Sequence, residues 1–212
     1  MLFCHITSQV EGDKDQNLLA DKGGRGFPYL VYMDAGGTVI ARQGSRSVEG
    51  LEATGRLVKQ YVELKKQADS GDQAAALEVA ILGAELGQFQ AEEGRSKLAE
   101  LKDVTPDQKK RIDRVLVNYD VQAMIPNLRD KAAVVEAGKK FADWKGQGKV
   151  PTGDNEVGTF HSCILEYAEQ EKNVTLFEES LNAIKAHFGK NLNARFLEAK
   201  AKILEQLKAE RK

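Results

Sequence analysis

From Ser47 to the C-terminus, the chain consists of amphipathic segments separated by short polar breaks. The first segment, residues 50–71, places its apolar residues mostly three and four positions apart, on one face of a helix. These residues are Leu51, Leu57, Val58, Tyr61 and Leu64. Ser47 is a suitable N-cap for this helix and Gly71 a suitable end, so a helix is predicted between them.

Capping residues and helix-ending residues of the same kinds predict further helices along the rest of the chain. Gly87 ends one helix, Thr105 and Pro106 begin another, and Asp130 begins the next. The predicted ranges are 72–86, 88–102, 105 to about 125, 130 to the stretch KGQGKVPTGDN, 155–172, 175–188 and 192 to the C-terminus. Helices joined by short turns pack as antiparallel hairpins, so this region is predicted to be an all-α domain of helical hairpins.

One part of this region resembles a known repeat. The segment LGQFQAEEGRSKLAEL, followed by VTPD, is similar to the tetratricopeptide pattern of a glycine, an aromatic residue, small residues and a later proline. Glu92 stands where the pattern has a small residue, and Pro106 comes late. A tetratricopeptide-like repeat array and a generic helical bundle are both compatible with the sequence.

The N-terminal part has a different pattern. MLFCHITS is apolar and β-branched, which is typical of a buried strand, and EGDKDQNLLADKGG predicts a polar loop followed by a short helix. FPYLVYMD and TVIARQG flank AGG, whose glycines suit a tight turn between antiparallel strands. The sequence therefore predicts a strand, a helix and a β-hairpin ahead of the first long helix.

The stretch KGGRGFPYLVYMDAGGTVIARQG resembles the second half of a thioredoxin-like domain. The resemblance covers about residues 1–68 and implies a cis peptide bond before Pro28. In that family the proline loop faces a Cys-x-x-Cys pair at the start of a helix. This sequence contains no such pair, and the resemblance places the strand and helix that would carry it upstream of Met1.

The predicted fold class is an α+β N-terminal part followed by an all-α domain. Residues 1–68 are expected to form a truncated thioredoxin-like domain of strand, helix, β-hairpin and helix, and residues 69–212 a helical bundle or tetratricopeptide-like domain. The missing strand is central in the family's sheet, so its absence exposes backbone groups that need partners. We expect a homodimer in which a second chain completes the sheet, and a smaller rearranged sheet is the alternative.

The resemblance also implies a candidate peptide-binding loop. In a complete thioredoxin-like domain, the proline loop pairs its backbone with an extended peptide. The matching residues here are Arg25, Gly26, Phe27, Pro28 and Tyr29. A loop that only completes the hairpin is the alternative.

No catalytic residue, metal site or cofactor is predicted. Cys4 and His5 are neighbours in a predicted strand, so their side chains point apart. His161 and Cys163 are two residues apart in a predicted helix and do not share a face. The aromatic residues between 141 and 188 have the spacing of helix-packing residues.

Charge and hydropathy narrow the partner classes. The net charge is −1, from 31 basic and 32 acidic residues, so neither nucleic acid nor an anionic membrane is an expected partner. No apolar run reaches the ~18 residues of a membrane span, and no export signal is recognised. The chain is expected to be soluble, cytoplasmic as it stands and exported if a longer N-terminus exists.

Three functions are compatible with these patterns. The first is a non-catalytic protein that binds a protein or peptide partner, since the Cys-x-x-Cys pair is missing and the helical region is long. The second is a fragment of a thiol-disulfide oxidoreductase whose reactive segment lies upstream. The third rests on the order of a short α/β part and a helical domain, which is similar to the plan of the glutathione transferases.

Overall fold

A computed structural model describes residues 12, 14–26, 28–44 and 47–210 of the chain. The protein is mostly helical, with a small antiparallel sheet of two strands near the N-terminus. Two compact units are distinguished, Met1–Gln88, called here the sheet unit, and Phe89–Lys212, called here the helical unit. The domain limits expected from the sequence, 1–68 and 69–212, stay a prediction. The strand predicted at residues 1–8 lies outside the described residues.

The sheet unit contains the predicted hairpin. Its elements are α1 (Leu18–Asp21), β1 (Val31–Met33), β2 (Val39–Arg42), α2 (Val48–Asp69) and α3 (Gln73–Glu85). Asp34 accepts a hydrogen bond from the Thr38 amide at 2.8 Å, and Gly37 has a φ of 80°, which the turn requires. The short helix, the hairpin and the first long helix predicted from the sequence are confirmed.

The core of the sheet unit lies between the hairpin and two helices. Its buried residues are Ile40 and Ala41 from β2, Val58 from α2, Leu82 from α3, and Leu86, the residue directly after α3. The Tyr32 hydroxyl also donates to the Leu51 carbonyl oxygen at 2.6 Å, which fixes the start of α2 against β1. Only one of the residues of α2, Val58, is buried, so much of the apolar stripe of this helix stays partly exposed.

Within residues 89–210, the described part of the helical unit, there are six further α-helices. They are α4 (Ala91–Ala99), α5 (Pro106–Met124), α6 (Lys131–Gly146), α7 (Asp154–Gln170), α8 (Val174–Phe188) and α9 (Ala194–Glu210). Five of them agree closely with the predicted ranges. α4 is shorter than the predicted 88–102: it begins at Ala91, because Gln90 is extended (φ −66°, ψ 155°), and it ends at Ala99.

Capping residues explain why most helix limits could be predicted. Ser47 accepts from the Gly50 amide at 3.1 Å at the start of α2. At the start of α5, Thr105 and Gln108 form a reciprocal capping box: the Thr105 hydroxyl accepts from the Gln108 amide at 3.3 Å, and the Gln108 side chain accepts from the Thr105 amide at 2.8 Å. Such caps satisfy amides that the helix itself leaves unpaired.

We expect Thr105→Ala to lower the free energy of unfolding of the helical unit by about 1 kcal/mol, because it removes half of this capping box. Thr175→Ala is the matched control, since Thr175 is exposed in the first turn of α8 and Asn173 caps that helix. Urea unfolding followed by the fluorescence of Trp144, the single tryptophan, measures both variants. Equal losses in the two variants would contradict the capping role.

α7 is the central helix of the helical unit, packed between α6 and α8. One cluster joins α7 to α5 and α6 through Val121, Ala137, Phe141, Phe160, Cys163 and Ile164. A second cluster joins α7 to α8 and α9 through Leu165, Ala168, Val174, Phe177, Leu181, Ile184 and Leu207. The rings of Phe141 and Phe160 stack with centroids 4.9 Å apart. The predicted packing role is confirmed for Phe141, Phe160 and Phe177, which are fully buried.

Polar side chains join helices that are not consecutive in sequence. The pairs are Lys145–Glu179 (α6–α8), Gln122–Glu156 (α5–α7) and Lys200–Glu166 (α9–α7), at 2.5, 2.8 and 2.6 Å. The partners in each pair are 34 residues apart. Long side chains therefore bridge helices two places apart in the chain, as in stacked helical hairpins.

Candidate functional site

The predicted proline loop is anchored at its Tyr29 end. Tyr29 is half-buried and its hydroxyl donates to the Lys22 carbonyl oxygen at 2.7 Å. Arg25, Gly26 and Pro28 are exposed, whereas Phe27, and with it the Phe27–Pro28 peptide bond, lies outside the described residues. Peptide binding by this loop stays a prediction.

Of the two cysteines, Cys163 lies within the described residues. Cys4, with His5, lies outside the described residues. Cys163 is buried in the α6–α7 cluster, and burial raises the pKa of its thiol to about 11, with a further contribution from the Glu166 carboxylate. The Cys163 thiol is therefore protonated at neutral pH and shielded from solvent, which is the state of a structural cysteine.

Neither a metal site nor a membrane-spanning helix is found in the described part of the chain. No group of three or more His, Cys, Asp or Glu side chains there is arranged to hold a metal ion. None of the helices described is both long and apolar enough to cross a membrane.

A groove of about 580 Å³ lies on the helical unit, between the C-terminal end of α5 and α6. Its volume falls within the range that is usual for ligand sites in proteins. The residues that line it are Met124, Asn127, Leu128, Ala133, Glu136, Ala137, Lys139, Lys140 and Asp143.

Local sequence signals explain why the groove forms. α5 ends at Met124 and passes into a short 3-10 helix, Ile125–Asn127, and Asp130 then caps α6 by accepting from the Ala133 amide at 2.9 Å. The chain thus turns sharply between α5 and α6. Ala133 and Ala137 are four residues apart on α6, and their small side chains leave space between this helix and the turn.

The groove combines apolar and charged surfaces. Met124, Leu128 and the two alanines provide apolar surface, while Glu136, Lys139, Lys140 and Asp143 add two negative and two positive charges. Within the part of the chain that the structure describes, Glu136, Lys139 and Asp143 form no ion pair. These charges are available to a ligand that carries both signs.

The indole of Trp144 lies next to the groove. The Lys140 ammonium is over the Trp144 ring, with its Nζ 5.1 Å from the ring centroid, and the Phe141 ring lies 5.5 Å from the same indole. A ligand that displaces Lys140 changes the surroundings of the indole, so Trp144 fluorescence reports on the groove.

The groove was not predicted from the sequence. Ala133, Glu136, Ala137 and Lys140 have the spacing of one helical face, but alternating alanines and charges are equally typical of a solvated face. The signal that could have indicated the site is the placement of Ala133 and Ala137 on one helical face soon after a break that contains a proline. Small residues at such positions leave a cleft between a turn and a helix.

Two buried polar side chains form a second unusual feature, on α7 and α8. His161 is 3 % exposed and Ser180 is fully buried, and neither His161 Nδ1 nor Ser180 Oγ has a hydrogen-bond partner among the described residues. A contact at 2.8 Å between His187 Nε2 and Asp154 Oδ1 fixes the register of the two antiparallel helices. In this register, His161 and Ser180 lie at the same level along the helix pair.

The imidazole of His161 is neutral at neutral pH. Burial is the main reason that its pKa falls from 6.5 to about 4, and the nearby Lys145 and His187 act in the same direction. A proton acceptor of such low basicity, enclosed in the core, has the properties of a packing residue. The predicted absence of a joint site at His161 and Cys163 stays a prediction, and both side chains are buried.

Compared with protein-family models, with curated proteins and with solved structures, the chain shows no significant match. Its function has to be argued from the geometry of its own residues.

Proposed function

We propose that this protein is a non-catalytic binding protein whose helical unit holds a segment of another protein in the groove between α5 and α6. The observation that carries the proposal is the groove itself, about 580 Å³ in volume, with an apolar surface of small residues and a charged rim. Peptide grooves commonly combine apolar contacts, which supply affinity, with charges that select the partner.

The packing of the helical unit supports this proposal. The polar pairs that join α5 to α7, α6 to α8 and α7 to α9 connect residues 34 residues apart. A tetratricopeptide repeat is also about 34 residues long and stacks its helical hairpins, so this separation of the polar pairs is compatible with such a repeat. We assign the helical unit to this type of repeat stack, whose grooves bind peptides and proteins.

The sheet unit supports the finer assignment of residues 1–68. The hairpin β1–β2 and the following helix α2 have the order expected for the second half of a thioredoxin-like domain. We propose that residues 1–68 are a truncated domain of this type. Arg25–Tyr29 then forms a second predicted peptide contact, separate from the groove.

The chemistry of the groove indicates the kind of segment it accepts. Short apolar side chains fit against the two alanines and Leu128, while a basic and an acidic side chain can pair with Asp143 or Glu136 and with Lys139. A segment of mixed charge with small apolar anchors satisfies both surfaces. The Lys140 ammonium already contacts the Trp144 ring, and a bound segment would displace it from that ring.

A phage-displayed library of linear peptides, selected on the immobilised protein, tests the proposal. Ala133→Phe places a bulky ring in the groove, and Ala132→Phe is the matched control, because Ala132 is exposed and does not line the groove. We expect selected peptides to bind the Ala133→Phe variant about tenfold or more weakly than wild type, and the Ala132→Phe variant with wild-type affinity. Titration followed by Trp144 fluorescence measures the affinities.

Two outcomes would count against the proposal. Selection that enriches no peptide beyond the level seen on an unrelated protein would contradict a binding function. Peptides that bind both phenylalanine variants as well as wild type would place the binding surface elsewhere.

A further inference from the structure

The charged residues that line the groove form one stripe along α6. All of them are exposed, and they are Glu136, Lys139, Lys140 and Asp143, called here the charge stripe. The last three lie three, four and seven positions after Glu136, so the four residues share one face of the helix. At about 1.5 Å of rise per residue, the stripe covers about 10 Å of α6, with its two basic residues between the acidic ones. The groove therefore presents charges in the order negative, positive, negative.

The residues of the charge stripe do not pair with one another, although their spacing allows it. On a helix, a lysine and an acidic residue three or four positions apart commonly form an ion pair. In α2, Lys65 and Asp69 do so at 3.2 Å. Lys139 and Asp143 have the same spacing in α6, but among the residues that the structure describes the charge stripe forms no ion pair. Its charges therefore remain available to a partner.

The spacing of the charge stripe matches a helical partner. Along α6 the sign of the charge changes about every 5 Å, which is close to one turn of a helix. A second helix repeats residues on one face at the same interval, so three of its turns can face the three levels of the stripe. In an extended segment, the side chains on one face recur about every 6.7 Å and are out of step with the stripe by the third level. The stripe therefore favours a helix over an extended segment.

The apolar part of the groove also suits a helix. Ala133 and Ala137 lie four positions apart on α6, while Met124 and Leu128 add apolar surface from the end of α5 and the turn that follows it. Small side chains allow a neighbouring helix to pack closely, at about 8–10 Å between the two axes. An amphipathic helix that binds in a groove places its apolar face against such a surface and its charges at the edge.

We propose that the groove binds an amphipathic helix of a partner protein whose charges complement the stripe in the order Lys-x-x-Glu-Glu-x-x-Lys, with Arg and Asp as equivalents. Each charge of this motif meets a charge of opposite sign on α6. The motif reads the same in both directions, so the stripe selects the partner by its charges and not by its orientation. This inference rests on the proposed function, because it names the kind of segment that occupies the same groove.

Two pools of peptides about 20 residues long, which is long enough to form helices in isolation, test the proposal. One pool carries Lys-x-x-Glu-Glu-x-x-Lys and the other Glu-x-x-Lys-Lys-x-x-Glu, with alanine, leucine or glutamine at every other position. The motifs of the two pools have the same composition and net charge. We expect wild type to bind the first pool about tenfold more tightly at low salt, because the four contacts are attractive in one pool and repulsive in the other. This preference should shrink as salt screens the charges. The anisotropy of a fluorescent label on the peptides measures both apparent affinities.

Inverting the charges of the protein gives the decisive comparison. The stripe variant should prefer the second pool, and its substitutions are Glu136→Lys, Lys139→Glu, Lys140→Glu and Asp143→Lys. The matched control inverts exposed charges of nearly the same order in α2 and should keep the wild-type preference, and its substitutions are Glu63→Lys, Lys65→Glu, Lys66→Glu and Asp69→Lys. A loss of stability cannot reverse a preference. Circular dichroism verifies that each variant is folded, and the comparison of the two pools on wild type stands alone if a variant is not.

The outcomes separate this inference from the proposed function. If wild type binds both pools equally and Ala133→Phe weakens both, the partner assignment is overturned and the groove remains a binding site. The same holds if neither pool binds while peptides selected from the phage library still bind in the groove. If the phage library yields no binder either, both the inference and the proposed function are overturned. A preference for the first pool that persists in the folded stripe variant would assign the charge selection to another surface and would also overturn the inference.

Discussion

Gly138→Ala should lower the free energy of unfolding of the helical unit by roughly 2–3 kcal/mol, although alanine is the better helix former. Gly138 is buried in the middle of α6, at a position where this helix lies directly against α7. A Cβ atom at this position would overlap the carbonyl group of Cys163 and lie 2.7 Å from the Cβ atom of Tyr167. The carbonyl belongs to the backbone of a packed helix, so relief requires α6 and α7 to separate.

The same helix offers a matched control for this substitution. Gly146 is the last residue of α6, and a Cβ atom there has no neighbour within 4 Å. Gly146→Ala should therefore leave the free energy of unfolding unchanged or raise it by about 0.5 kcal/mol. Urea unfolding followed by Trp144 fluorescence, with far-UV circular dichroism as a second probe, compares the variants. If Gly138→Ala were as stable as Gly146→Ala, α6 and α7 could not be packed this closely.

The positions of the helices could be predicted because short-range signals determine them. Ser47, Asp72, Thr105 and Asp130 each accept amide hydrogen bonds at the start of a helix, and each is recognisable from the few residues that follow it. The hairpin likewise depends on a local turn around Asp34 and Gly37. These features require no knowledge of what packs against the element.

The groove and the close contact at Gly138 depend on packing between helices and could not be predicted in this way. Ala133 lines a groove only because the turn after α5 directs α6 away from the end of α5. Gly138 is one glycine within a helical pattern, and its importance arises from the distance to α7. Hydrophobic periodicity indicates which face of a helix is buried, but not which neighbour covers it or how closely.

His161 makes the helical unit less stable in mild acid. In the folded protein the pKa of this imidazole is about 4, below its ordinary value of 6.5, mainly because the side chain is buried. Between these two values the unfolded chain binds a proton that the folded chain does not bind. The free energy of unfolding therefore decreases as the pH falls from 6.5 to about 4, by roughly 3 kcal/mol at most, and is unaffected by this group above pH 6.5.

Variants of the two described histidines isolate this contribution. His161→Leu removes the titrating group, and we expect its free energy of unfolding to lose roughly 3 kcal/mol less than that of wild type between pH 6.5 and 4. His187→Gln is the control, because it removes a histidine from the exposed contact with Asp154 and leaves the buried one in place.

The groups that face His161 determine how closely the acid sensitivity of the His187→Gln control follows that of wild type. Lys145 on α6 and His187 on α8 both disfavour a positive charge on the His161 imidazole. His187→Gln removes one of these influences, so its loss in acid should be slightly smaller than that of wild type but far larger than that of His161→Leu. Urea unfolding with Trp144 fluorescence at a series of pH values gives the three curves. Parallel curves for wild type and His161→Leu would show that the buried imidazole does not control the acid sensitivity of the fold.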